Sequence, residues 1–239
     1  MDFSHFTTIS FDCYGTLIDW ESGILPVLRG VLGRHGESVP DAAILELYAE
    51  FEAEAEGGPY QSYRDVLQSV VKAFADRFHF EASPAEISSL HESIRAWLPF
   101  PDTVPALREL QKRYKLVVIS NIDNDLFEKT RKHLGVEFDN VITAEKARSY
   151  KPSLNNFQTA LRTLAISPDR LLHAAQSIYH DVVPARSLGI STVWVNRKSA
   201  RAGIGAVRAS ADRASEKRPD LEVSDLASLA AAVMSRTQD

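Results

Sequence analysis

Thr7–Leu17 reads TTISFDCYGTL. An apolar, β-rich run over Thr7–Phe11 stops abruptly at Asp12, a Gly15-Thr16 pair follows, and a helix-like segment comes next. A carboxylate at the tip of a buried strand, beside a glycine turn, is where open α/β sheets put ligands. Alternation along a strand sets Asp12 and Tyr14 on one side and Cys13 on the other, so Cys13 reads as a packing residue. Gly15 permits the turn. Thr16 can offer its hydroxyl to Asp12 or cap the next helix. Asp12 is therefore a candidate nucleophile, although an aspartate before a glycine is often only a turn former.

Outward from this stretch the pattern becomes helical. Apolar residues recur at helical spacing from Ile24 to Leu32, Ile44 to Phe51, Val66 to Phe78 and Ile87 to Trp97. Gly57-Gly58-Pro59 separates the second run from the third. Four helical runs with no strand between them predict a helical cap domain over residues 20–98, inserted into a core made of residues 1–19 and 99–239. The rest of the core alternates. Strands are expected at Lys115–Ser120, Asn140–Thr143, Leu171–Ala175, Thr192–Val195 and Pro219–Val223. Helices are expected at Val104–Tyr114, Asp125–Leu134, Asn155–Ala165, Val182–Leu188 and Asp225–Met234. This order predicts an α/β fold, a doubly wound parallel sheet of Rossmann-like type. Between Arg197 and Arg218 a Ser-, Ala-, Arg- and Gly-rich stretch reads as an exposed excursion.

Bulk properties narrow the function classes. At 239 residues, 44% hydrophobic and 25% charged, the chain has the composition of a globular protein. A net charge of -5 gives no electrostatic case for nucleic acid or an anionic membrane. One cysteine excludes an intrachain disulfide. MDFSHFTTIS has neither the basic nor the apolar part of a secretory signal, and LASLAAAVM is too short to span a bilayer. The expectation is a cytoplasmic enzyme with a small-molecule substrate; a homodimer is left open.

Polar signals follow the expected strands: Asp12, then Ser120-Asn121, Lys151, and Asp181. In a parallel sheet such ends share one edge, so these groups can converge. Each also has a plainer reading. Ser-Asn after a strand often caps a helix, a lysine before proline is usually solvated, and Asp181 could be a first-turn acid. His180 is either a proton shuttle or a rim residue. Trp20, Tyr60, Tyr63 and Trp97 are either pocket walls or core.

FDCYGTL, VVISN, SYKPS and the segment ending at Asp181 resemble, in order and spacing, the four motifs of the haloacid dehalogenase-like hydrolase superfamily. YGT after Asp12 and SYKPS around Lys151 are similar to the type II 2-haloacid dehalogenases. FDCYGTLIDW, SNIDNDLF and SIYHD also resemble a subgroup containing an azetidine-2-carboxylate hydrolase. The resemblance implies that Asp12 attacks C2 of a 2-substituted carboxylate to give an aspartyl ester, which water then cleaves. It implies that Lys151 keeps Asp12 ionised and that Asp181 holds Lys151 or activates the water. Tyr14, Thr16, Ser120 and Asn121 would bind substrate or orient Asp12. No cofactor is implied.

The alternative is a magnesium-dependent phosphatase of the same superfamily. Its members carry an acid two residues after the nucleophile and further carboxylates for Mg²⁺; here those places hold Tyr14 and Gln176. A third reading is a binding module on a decayed scaffold, disfavoured by the persistence of Asp12, Thr16, Ser120, Lys151 and Asp181. The chain also departs from the dehalogenases. No arginine lies between Arg34 and Arg64, where the family takes up halide; that helix reads ELYAEFEAEAE. Phe157 replaces a tyrosine, and Gln176 and Ile178 stand where the family has Ser and Asn.

Overall fold

The structure is a computed structural model and describes residues 1–197 and 218–234. Six strands form one parallel sheet: β1 Thr8–Phe11, β2 Lys115–Ser120, β3 Asn140–Thr143, β4 Leu171–Ala175, β5 Ser191–Val195 and β6 Leu221–Val223. Their spatial order is β3-β2-β1-β4-β5-β6. Every neighbouring pair is parallel, with Phe11 opposite Val118 on one side and Ala174 on the other. The chain reverses direction across the sheet at β1, the kind of switch point that opens a crevice at the strand tips.

Strand composition explains why both faces are covered. Leu116 and Val118 of β2 join one apolar cluster, and Val117 and Ile119 join the other. A strand buried on both sides reads as a continuous apolar run, as KLVVIS does after its exposed lysine. Helix α5 (Thr103–Leu110) and the final helix Leu226–Met234 contribute Leu107, Leu110, Leu226 and Leu229 to the first cluster. Phe157 and Ala160, on the helix Leu154–Leu164, belong to the second cluster. The fold is therefore the expected doubly wound α/β sheet.

Between β1 and α5 the chain builds four helices and no strand: α1 (Trp20–Arg34), α2 (Asp41–Glu56), α3 (Tyr63–Phe78) and α4 (Pro84–Ser93). Asp19 caps α1 by accepting from Ser22 N at 3.2 Å, and Ser83 with Glu86 forms a reciprocal capping box on α4. The first-turn N–H groups of Tyr63 and Arg64 on α3 donate to Asp123, a residue of the sheet half of the chain, at 2.8 and 2.9 Å. The outgoing and returning segments run side by side: Asp19 N donates to Leu98 O at 2.9 Å and Phe100 N to Leu17 O at 3.1 Å. Arg197 ties this crossing down, donating to both Asp102 carboxylate oxygens at 3.0 Å and to Thr16 O at 2.8 Å.

Three expectations need correction. The helix expected over Val104–Tyr114 ends at Leu110, because the chain must turn at once into β2. The strand alternation does not reach Tyr14, because β1 ends at Phe11 and the backbone turns through Gly15. Asp181 lies inside a π-helical turn, Ile178–Val182, rather than at the start of an α-helix. The excursion expected after Arg197 falls almost wholly outside the described residues.

Candidate active site

The C-terminal tips of β1, β2 and β4 carry the polar groups. Asp12 follows β1, its backbone N–H donating to Ala174 O on β4 at 3.1 Å. Gly15 has φ +93, and a Cβ there would stand 3.0 Å from Trp20 Nε1 and 3.5 Å from Gln176 Oε1. The positive φ disfavours any side chain and a Cβ would also crowd Trp20, which suits glycine to the tight turn after Asp12. Thr16 then reaches back, its hydroxyl donating to Asp12 Oδ2 at 2.7 Å and accepting from Gln176 N at 2.9 Å.

Among the described residues, Lys151 is the one lysine or arginine that lines the cavity. Its Nζ contacts Asp12 Oδ1 at 2.9 Å, Asp181 Oδ1 at 2.6 Å and Ile119 O at 3.0 Å. An ammonium has three donors, so Lys151 is fully used. Lys151 is 2% exposed and Asp181 1%, which removes water as a competitor for these contacts. Asn121 fixes the lysine's backbone, accepting from Lys151 N at 2.7 Å and donating to Lys151 O at 3.2 Å.

Charge and burial oppose each other here. Burial pushes the Asp12 carboxyl above the ordinary aspartate range, and the charge of Asp181 adds to this; Lys151 and the Thr16 hydroxyl pull against them without prevailing. Burial would raise Asp181 too, but Lys151 and His173 hold it below the ordinary value. Burial works against the Lys151 charge and is overcome by Asp12 and Asp181, so the ammonium is held firmly.

His173, in the middle of β4, is a further member of the cluster. Its Nε2 lies 3.0 Å from Asp181 Oδ1, and its Nδ1 lies 2.8 Å from Ser10 Oγ on β1. An ionised carboxylate only accepts, so Nε2 carries a proton toward Asp181 Oδ1. With Lys151 and His173 both on Oδ1, Asp181 Oδ2 is buried without a partner. Ser120 Oγ is likewise buried and unpartnered.

These groups line a cavity of about 190 Å³ between the strand tips and the helical insert. Of the residues singled out in the sequence, Asp12, Ser120, Asn121, Lys151 and Asp181 line it together, with Thr16 behind Asp12. The Tyr14 ring reaches the cavity, but its hydroxyl is bonded to Thr130 Oγ1 at 2.7 Å. His180 lines the wall, with Nδ1 3.1 Å from Ser177 Oγ. Trp20, Tyr63 and Trp97 are wall residues, whereas Tyr60 lies elsewhere, stacked on Tyr150 with Arg148 over its ring.

Sequence reasoning missed His173, Ser10, Tyr48, Glu52 and Glu56. Glu52 Oε1 accepts from the Tyr48 and Tyr63 hydroxyls at 2.8 and 2.5 Å. Glu56 Oε2 accepts from Asn121 Nδ2 at 3.3 Å. A histidine between Leu172 and Ala174 in a buried strand was a signal, as were two acids one turn apart on an otherwise apolar helix face.

The haloacid dehalogenase-like hydrolase family model matches residues 6–189. The chain belongs to the haloacid dehalogenase-like hydrolases. Among curated members of that family, it is 28% identical to the (S)-2-haloacid dehalogenase H-109 of Pseudomonas putida over 80% of this chain and 86% of the relative. It is 35% identical to the glyceraldehyde 3-phosphate phosphatase of Methanothermobacter thermautotrophicus, over only 41% of this chain and 45% of that one. The haloacid dehalogenase-like fold is shared with the L-2-haloacid dehalogenase of Xanthobacter autotrophicus, solved also with chloropropionic acid covalently bound. For that covalent complex the TM-score is 0.77 at 20% identity, covering 95% of this chain and 98% of the other. No helix among the described residues is long and apolar enough to cross a membrane.

Proposed function

We propose that this hydrolase displaces a substituent from C2 of a small 2-substituted carboxylate through an ester at Asp12. One relationship carries the reading: a buried lysine bridges Asp12 and Asp181 and leaves Asp181 Oδ2 free. In the first half-reaction an Asp12 oxygen bonds to C2 while the bond to the leaving group breaks. The leaving group departs with the electron pair, as halide or, where it already carries a proton, as an amine. In the second, water adds to the Asp12 carboxyl carbon and passes a proton to Asp181 Oδ2. The ester C–O bond then breaks, the alkoxide takes that proton back, the 2-hydroxy acid leaves with an oxygen from Asp12, and the Asp12 carboxyl releases the water's remaining proton to solvent. Ser120 Oγ is the free donor for the substrate carboxylate, and Thr16 and Asn121 keep Asp12 and Lys151 in place. The insert of residues 20–98 acts as the cap.

The phosphatase alternative lacks support in the donor set. Magnesium wants several hard oxygens near octahedral geometry. The Lys151 ammonium fills the space between Asp12 and Asp181, Gln176 offers only an amide, and the Tyr14 hydroxyl is turned to Thr130. Among the described residues, no three His, Cys, Asp or Glu side chains are grouped to hold a metal ion. No step is therefore routed through Mg²⁺.

A single turnover in ¹⁸O-labelled water, with enzyme in excess over 2-halo- and 2-amino-substituted carboxylates, tests the reading. The label is expected in Asp12, with an unlabelled oxygen in the product. Turnover that survives in Asp12→Asn, or that a chelator abolishes and Mg²⁺ restores, would overturn it.

A further inference from the structure

Four aromatic rings line the cavity in a connected run: Tyr14, Trp97, Trp20 and Tyr48. Helix α2 adds two small side chains, Ala49 and Ala53, one turn apart. We infer that this aromatic wall takes a bulky apolar group, about the size of a phenyl ring, carried by the substrate beyond C2. The inference deepens the Asp12 reading by naming a substrate class, and it rests on that reading for where the reactive carbon lies.

The wall is built and held. Tyr14 meets Trp97 edge to face with centroids 5.7 Å apart, and Trp20 leans on Tyr48 at 5.5 Å. Trp97 lies directly over Gly23, one turn from Trp20 on α1, which joins the two pairs. Glycine is a poor residue for a helix interior. Here a Cβ would overlap the Trp97 indole, so any side chain would push that ring off its seat. Trp97 is held further by its Nε1, which donates to Ser93 Oγ at 2.9 Å. The Tyr48 hydroxyl donates to Glu52 Oε1 at 2.8 Å, which fixes that ring too. Rings already set in place lose little freedom when a ligand arrives.

Size and polarity agree with an apolar occupant. The cavity measures about 190 Å³. About 10–15 Å³ admits one water, so there is room for roughly a dozen or more, whereas a three-carbon acid takes the place of about four. Such an acid, set against Asp12 and Ser120, would leave the four rings uncovered. Glu52 and Glu56 also face this space, but their oxygens accept from Tyr48, Tyr63 and Asn121, and burial raises both carboxyls. A ring suits these walls better than a straight chain, because aromatic pairs attract beyond the area they bury. Ala53 is exposed, which puts it at the cavity mouth, and a larger residue there or at Ala49 would narrow the space.

Isothermal titration of the full-length protein with sodium 3-phenylpropionate and sodium propionate tests this, since the two share a carboxylate and differ in the ring. 3-Phenylpropionate is expected to bind at least about tenfold tighter, the least that burying an apolar group of that size should give. Ala49→Leu or Ala53→Leu should lose most of that preference by filling the space. A smaller preference in the unmodified protein overturns the subsite, and so does a preference that persists in both variants. Ala53 is exposed, so its variant decides if Ala49→Leu does not fold. Turnover of 2-chloropropionate through Asp12 without the preference sinks the subsite and leaves the hydrolytic reading standing. The preference without any ester at Asp12 does the reverse.

Discussion

The Lys151 ammonium lies 2.6 Å from Asp181 Oδ1, closer than its 2.9 Å contact with Asp12, and the Lys151 and Asp181 side chains are each 1% exposed. Removing one partner of a buried ion pair leaves the other charge uncompensated. Lys151→Met should therefore destabilise the fold by about 3–5 kcal/mol near neutral pH. Without the lysine, both carboxyls titrate higher, so the deficit should shrink as acid protonates them. Urea unfolding near neutral and at mildly acid pH measures the difference; an equal deficit at both would contradict the account.

Asp12 must be ionised to attack, and its carboxyl titrates above the ordinary aspartate range because it is buried. Activity should thus fall on the acid side with a midpoint above the roughly 3.9 of a free aspartate. Thr16→Val removes a hydroxyl that favours the charged form. The midpoint should then move to still higher pH, and kcat should drop about 10- to 150-fold for the loss of one hydrogen bond to a charged group. The pH profile of kcat/KM for both proteins checks the direction.

His173 touches Asp181 rather than any cavity space, so it is a positioning residue. His173→Leu strands the Ser10 hydroxyl and leaves Asp181 Oδ1 to Lys151 alone, at a cost of about 1–3 kcal/mol. Because His173 fixes Asp181 Oδ1 and so aims Oδ2, its loss should slow ester hydrolysis more than ester formation, even though the freed carboxyl titrates higher. Rapid-quench mass spectrometry should show ester accumulating in the variant, with KM little changed. His173→Gln, which keeps a donor, should recover part of the rate.

Glu86 steadies the insert from the start of α4. Arg34, the Ser83 backbone and hydroxyl, and His35 hold its carboxyl down to about 2. A carboxyl depressed on folding stabilises above its unfolded value, near 4.3, and the benefit is lost as pH falls toward 2. Glu86→Gln should cost about 1 kcal/mol near neutrality, as other cap losses do. The gap to the parent protein in thermal unfolding should close in strong acid.

The sheet was legible because its strands are short apolar runs cut by turn residues, and KLVVIS states its burial on both faces without help from the fold. The polar tips were legible by the same rule, since Asp12, Ser120 and Asp181 each follow such a run. Lys151 was harder, for a lysine before proline ordinarily faces water; its place after a strand only made it a candidate, and the resemblance gave it a role. The glutamates on α2 were seen only as an absence of arginine. Their meaning depends on which helix face meets the cavity, and that is set by packing against Tyr63 from a different helix. His173 was passed over because a histidine inside a strand gives no sign of its neighbours until Ser10 and Asp181 are brought to it.

Asp123 belongs to the loop after β2 yet closes the start of α3, where it accepts from two backbone N–H groups. A molecule entering the cavity by swinging the insert away would have to unhook that carboxylate, leaving two amides and a helix's positive end bare. The latch re-forms only when the insert settles back. Asp123 is one of several such ties, alongside Arg64 to Asp125 and the Tyr150 hydroxyl to Gln61 O, so any such opening would have to break them together.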